Sequence, residues 1–92
     1  MDYRIWKYEI IPDDKIQIEM PEKAEILSVQ FQKGKVCIWA LVNADNKPEK
    51  RFFEVFGTGH KVPVDMGISR KFMGTFQIYG GDLVFHLFER TD

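Results

Sequence analysis

Met73-Gly-Thr-Phe-Gln-Ile-Tyr-Gly-Gly-Asp-Leu-Val-Phe-His-Leu-Phe-Glu89 is the stretch whose reading decides the fold. Two strand-like runs flank Gly80-Gly81, a pair able to adopt the positive φ angles of a two-residue type I′ turn. Such a turn predicts Tyr79 opposite Asp82, Ile78 opposite Leu83, Phe76 opposite Phe85 and Thr75 opposite His86. Strand alternation then sorts the side chains. Phe72, Phe76, Ile78, Leu83, Phe85 and Leu87 form a predicted core face. Met73, Thr75, Gln77, Tyr79, Asp82, Val84, His86 and Phe88 form a mixed face.

Working outward from this hairpin, the preceding stretch from Gly57 to Arg70 contains several glycines, a proline and no periodicity. It reads as a long loop with one helical turn near Asp65. Before it, Arg51 to Phe56 reads as a strand with aromatics on both parities, Phe52 and Phe56 against Phe53. Ala44 to Glu49 is a polar loop. Val36 to Asn43 is apolar on both faces, the pattern of a central strand covered on both sides. Lys33-Gly34-Lys35 reads as a hairpin turn. Glu25 to Lys33 alternates, with Leu27, Val29 and Phe31 predicted inward. Lys15 to Met20 alternates around Ile16, Ile18 and Met20, after a turn at Pro12-Asp13-Asp14. The first strand, Tyr3 to Ile11, directs Trp6, Tyr8 and Ile10 inward. The pattern therefore predicts an all-β fold: a small barrel or sandwich of six to seven short antiparallel strands with a long loop before the C-terminal hairpin. A sheet with one short helix is the second choice.

The 92 residues suit one β domain over 1–92 and one modest core. Eight Phe, three Tyr and two Trp supply large apolar groups for it. Thirteen basic residues against fourteen acidic ones leave a formal charge of -1 with the signs interspersed. Nucleic acid and anionic membranes are not the expected partners of such a surface. Cys37 is the single cysteine, so no internal disulfide forms, and a reducing cytoplasm is the expected site. No signal-peptide core opens the chain, and no apolar run approaches bilayer-spanning length.

Met20-Pro21, Ile26-Leu-Ser-Val-Gln30, Cys37-Ile-Trp-Ala-Leu-Val42, Phe56-Gly-Thr-Gly-His60, Gly74-Thr-Phe-Gln77 and Gly81-Asp-Leu-Val-Phe-His-Leu-Phe-Glu89 together carry a resemblance. The chain resembles a family of small uncharacterised proteins encoded mostly by phages and prophages, a domain of unknown function. That resemblance implies a phage-related source and action in the host cytoplasm. It carries no catalytic residues to transfer.

The sharpest local signal is Gly57-Thr58-Gly59-His60-Lys61. Consecutive N–H groups in such a turn cradle anions, and Thr58, His60 and Lys61 add donors. The competing reading is a tight turn capped by His60. The segment lacks the Gly-Lys-Ser/Thr ending of a phosphate loop. Thr75, Gln77, Tyr79, His86 and Phe88 on the mixed face would form the wall of a pocket. His86 has a structural reading as a histidine bonded to its neighbours. No ligand spacing supports a metal site, no cofactor is expected, and no catalytic residue stands out. Cys37 is expected to be buried and inert. Trp39, Phe53, Tyr79 and Phe88 leave more aromatic surface than one interior absorbs. They point either to a second subunit or partner, or to bulges that slip the strand parity.

These observations rank the functions. First is a small non-catalytic binding protein, homo-oligomeric, acting on a host or phage protein. A nucleotide or nucleotide-signal binder, taking an anionic small molecule, is the alternative. A virion structural component is a further one, and an enzyme is the less favoured class.

Overall fold

The computed structural model describes residues 1–13 and 15–92. Seven strands follow in order: β1 (Tyr3–Ile10), β2 (Ile16–Pro21), β3 (Glu25–Gln32), β4 (Lys35–Asn43), β5 (Pro48–Gly57), β6 (Arg70–Ile78) and β7 (Leu83–Arg90). They form two antiparallel sheets. Sheet A has the order β1-β4-β3 and sheet B the order β2-β5-β7-β6. The fold is all-β, and of the two predicted forms it is the sandwich, because the sheets do not close into a barrel.

Alternation along each strand builds the shared interior. Val36, Ile38, Ala40 and Val42 of β4 meet Ile18 and Met20 of β2, Phe53 and Val55 of β5, Phe76 of β6 and Leu87 of β7 in one buried cluster. At about 25 cal/mol per Å², each of these side chains other than Ala40 contributes about 1.5–3 kcal/mol relative to exposure. The sheets approach most closely where β6 lies beside β3. A Cβ added to Gly74 would stand 2.7 Å from Val29 Cγ1, so only glycine fits there.

The terminal hairpin keeps the predicted register, with Ile78 opposite Leu83, Phe76 opposite Phe85 and Thr75 opposite His86. Gly80 (φ 64°) and Gly81 (φ 101°) take the positive angles expected of them. Tyr79 departs from the prediction: it also has positive φ (52°), so it leaves the ladder and does not pair with Asp82 as a strand residue. The Lys33-Gly34 turn forms as read, with both residues at positive φ and Gln32 paired to Lys35.

Two bulges correct the predicted faces. Between Phe72 and Gly74 the register of β6 slips by one residue. Phe72 therefore turns outward and Met73 packs against the core, the reverse of the expected order. A second slip between Ile26 and Ser28 leaves Leu27 exposed and sends Ile26 inward beside Val29 and Phe31. An extra residue in one strand changes the parity of everything before it. Phe85 and Leu83 are less buried than a core face implies: Phe85 packs at the core margin and Leu83 is exposed.

The long loop contains no helix. A turn closes by Ile68 N–H donating to the Asp65 carbonyl at 3.2 Å. Because β5 and β6 both pair antiparallel to β7, they run in the same direction. Residues 58–69 are thus a crossover that returns the chain along the sheet before β6 begins. The predicted turn at Pro12-Asp13-Asp14 includes Asp14, which lies outside the described residues.

Candidate functional site

Three places on this frame carry the polar and aromatic residues singled out above, and the pairing decides which of them meet. On the outer side of sheet B, Phe56 pairs with His86 and Thr75 pairs with His86 from the opposite edge. His86 consequently sits between two hydroxyls. Thr58 Oγ1 lies 2.8 Å from Nε2 and Thr75 Oγ1 lies 3.0 Å from Nδ1. A hydroxyl both donates and accepts, so both ring nitrogens are satisfied whichever carries the proton. The arrangement locks the ring.

The Gly57–Lys61 loop borders a shallow notch of about 220 Å³ with Asp82, Leu83, Val84 and Phe85. Thr58 N–H donates to the Val84 carbonyl at 3.1 Å, and His60 N–H donates to the Gly57 carbonyl at 3.0 Å. Two of the N–H groups that an anion cradle would use are therefore engaged within the fold. The His60 ring lies over Gly57, where an added Cβ would stand 2.7 Å from its Nδ1 and Cε1. Gly59 has φ 86°, and Lys61 is exposed.

The other residues of the expected pocket wall disperse. Tyr79 makes an edge contact with Phe31 of sheet A, centroids 6.4 Å apart. Gln77 lies over Gly81. Phe88 joins Phe56 (5.9 Å) and Phe72 (5.5 Å) in a chain of T-shaped contacts. Thr58, Thr75 and His86 come together; Tyr79 and Phe88 do not join them. Among the described residues no cluster of three or more His, Cys, Asp or Glu is arranged to hold a metal ion.

Beside the phenylalanines lies a network that sequence reasoning missed. Glu54 is buried on the outer side of β5. Arg70 Nε donates to its Oε1 at 2.6 Å, and Arg90 Nη1 approaches Oε2 at 3.6 Å. Arg70 also stands 5.4 Å from the Phe56 ring centre and donates through Nη1 to the Pro63 carbonyl at 2.5 Å. The crossover is thereby tied to the sheet. Arg90 holds the Asp92 carboxyl well below the usual carboxylate range through its hydrogen bonds.

A second missed pair stands on the inner side. Arg51 meets Glu89 in a two-pronged contact of 2.6 and 2.7 Å, and a further N–H donates to the Ala24 carbonyl at 2.5 Å. The hydrogen bonds to Glu89 raise the Arg51 pKa above its ordinary value. The available signal was parity, since Arg51 occupies an inward position two residues from Phe53 and four from Val55.

The outer side of sheet A differs from all of this. Alternation and register place Tyr3, Ile5, Lys7 and Glu9 of β1 there, with Lys35, Cys37, Trp39 and Leu41 of β4. One half is polar: Lys35 pairs with Glu9 at 3.1 Å, and Lys7 reaches across β4 to Gln32 at 3.4 Å. Cys37 on this side is buried, as expected. The other half is apolar. Ile5 is 62% exposed and Tyr3 59%, while Trp39 and Leu41 are half-buried beside them. Val64 and Met66 of the crossover are also exposed, as are Phe52 (50%) and Phe72 (55%) of sheet B.

The geometry defines a small two-sheet β-sandwich whose sheet B is crossed by the chain's own 58–69 segment. A model of the family described as a domain of unknown function (DUF7352) matches residues 1–92, and the chain belongs to that family. No curated protein and no solved structure matches it. Among the described residues no helix is long and apolar enough to cross a membrane.

Proposed function

We propose that this is a small non-catalytic binding protein that takes a protein partner on the outer side of sheet A. The observation that carries the reading is the apolar half of that side, Tyr3, Ile5, Trp39 and Leu41, which no segment of the described chain crosses. Aromatic and aliphatic groups of this kind, rimmed by Lys7, Glu9 and Lys35, match the make-up of an interface centre with a charged border. The sequence blocks resembling phage and prophage products support a phage-related source and a host-cytoplasm partner. An anionic small molecule at the Gly57–Lys61 loop has less support, because Thr58 and His60 N–H groups are already bonded.

The test is affinity capture from bacterial cytoplasm with the full chain and with a Trp39→Gln, Leu41→Ser double variant whose fold is verified by circular dichroism. A protein retained by the wild type, identified by mass spectrometry and purified, should rebind the wild type and fail to bind the double variant. Equal binding of that protein to both forms would overturn the assignment to this face.

A further inference from the structure

The four strands at the sheet margins are not alike. β2 is six residues long and ends in Pro21. β3 and β6 each carry a bulge and lie beside one another. β1 is eight residues long, pairs only with β4, and has neither proline nor bulge. Tyr3 through Lys7 are all exposed, including Trp6 at 37%. An edge of that length with large apolar side chains on both sides invites pairing with another strand unless something blunts it.

The hydrogen-bond pattern shows which groups this edge offers. Ala44 N–H donates to the Asp2 carbonyl at 2.8 Å, and Asp2 opposite Ala44 continues the register of Tyr3 opposite Asn43. Facing residues of an antiparallel ladder alternate between bonded and non-bonded pairs. Arg4, Trp6, Tyr8 and Ile10 are therefore bonded to β4. Tyr3, Ile5, Lys7 and Glu9 turn their N–H and C=O groups outward to the free edge.

We propose that β1 pairs antiparallel with β1 of a second copy, about a two-fold axis through Trp6, making one continuous six-stranded sheet. The partner is a second copy because this one register suits the strand to itself. With Trp6 on the axis, Tyr3 faces Glu9, Ile5 faces Lys7 and Arg4 faces Tyr8 of the other copy. Every outward N–H and C=O of the strand finds a partner, giving about eight interchain hydrogen bonds, two per facing pair. No like charges oppose each other. Moving the axis to Lys7 sets Lys7 against Lys7, which is destabilising. Moving it to Ile5 sets Glu9 opposite Met1, outside β1, and leaves three outward-bonding pairs within the strands where the Trp6 axis has four. The two Trp6 residues form a non-bonded pair, the closer kind, with Cα atoms about 4.5 Å apart. This association does not depend on the partner reading above, and it sets the apolar half of each outer face beside the polar half of the other.

Sedimentation velocity of the full chain should show a dimer at micromolar concentration, and a monomer at every concentration would overturn the proposal. Ile5→Pro removes an N–H that bonds nothing within the chain, so it should leave a folded monomer; a folded variant that remains dimeric would also overturn it. The register has its own test, which stands even if the proline variant fails to fold. Under oxidation Trp6→Cys should give a covalent dimer, since facing cysteines meet at the axis, whereas Arg4→Cys, which faces position 8, should not. Native Cys37 is buried and does not compete. Cross-linking through position 4, or through neither, would refute the Trp6 axis.

Discussion

The outer sides of the two sheets begin from similar material and end differently. Both carry aromatic residues at outward parity: Phe56, Phe72 and Phe88 on sheet B, Trp39 and Tyr3 on sheet A. Of the first three, Phe56 is buried and Phe88 half-buried, while Phe72, at the margin, stays exposed. On sheet B the parallel course of β5 and β6 obliges the chain to return across β7, and Arg70 ties that crossover down through the Pro63 carbonyl. Glu54 then becomes a buried charge held between Arg70 and Arg90. On sheet A the neighbours in sequence, β3 and β4, are joined by a two-residue turn, and no described segment crosses that side. Covering thus follows from connectivity, and the amino-acid composition of a strand does not reveal it. A side that is covered should matter for stability, and an open side should matter for association.

The largest expected effect is on the covered side. Phe56 is buried, touches Phe88 edge-on and lies under Arg70, so Phe56→Ala should cost about 3–5 kcal/mol in urea unfolding. A loss of that size rivals the whole stability of a chain this short. A midpoint close to wild type would mean that the crossover does not seal this face. Glu54→Gln sharpens the point by keeping the shape and removing the charge. It weakens the charged hydrogen bond to Arg70, and a loss of about 1.5–3 kcal/mol is expected. Proteolysis within residues 58–69 should quicken in the same variant if Glu54 fixes Arg70 and Arg70 fixes the crossover. Unchanged cleavage would separate the two.

On the open side Leu41→Thr puts a β-branched residue suited to a strand in its place and should cost about 1 kcal/mol or less, since Leu41 is only half-buried. A cost above that of Glu54→Gln would reverse the comparison, marking sheet A as the side on which folding depends.

The hairpin was legible because turn chemistry and alternation agree there: Gly80 and Gly81 leave one short loop, and the aromatic pattern admits one register. The bulges were not legible. Met73 and Leu27 are ordinary strand residues, and only contact with the opposite sheet selects which of Phe72 and Met73 turns inward. For the candidate site, the hairpin brought Thr75 and His86 together on sequence grounds. The third member, Thr58, reaches His86 through the β5–β7 pairing, a long-range contact that no local pattern encodes. Arg51, Glu54, Arg70 and Glu89 were overlooked for a related reason. A charge in a strand reads as solvent-facing until its partner on another strand is known.

Tyr8 offers the finest test of the division between covered and open sides, because it stands on the inward side of the exposed strand β1. Its hydroxyl is buried and has no hydrogen-bond partner among the described residues. Burial raises its pKa above the ordinary tyrosine value, opposed by the positive charge of Arg51. Tyr8→Phe removes a hydroxyl that lost water on folding and gained nothing in return. The expected change is a gain of about half a kcal/mol, reduced from the full penalty because the ring is only half-buried. The sign with pH follows from the raised value. Below the unfolded pKa, about 10, the hydroxyl is neutral in both states and the group adds no pH dependence. Above it the unfolded chain ionises first, so wild-type stability falls as pH rises through the folded value. The phenylalanine variant lacks this contribution, and its advantage in thermal unfolding should widen above pH about 10. A variant less stable than wild type at neutral pH would show that the hydroxyl has a partner, and that the inner side of β1 is wetter than the packing indicates.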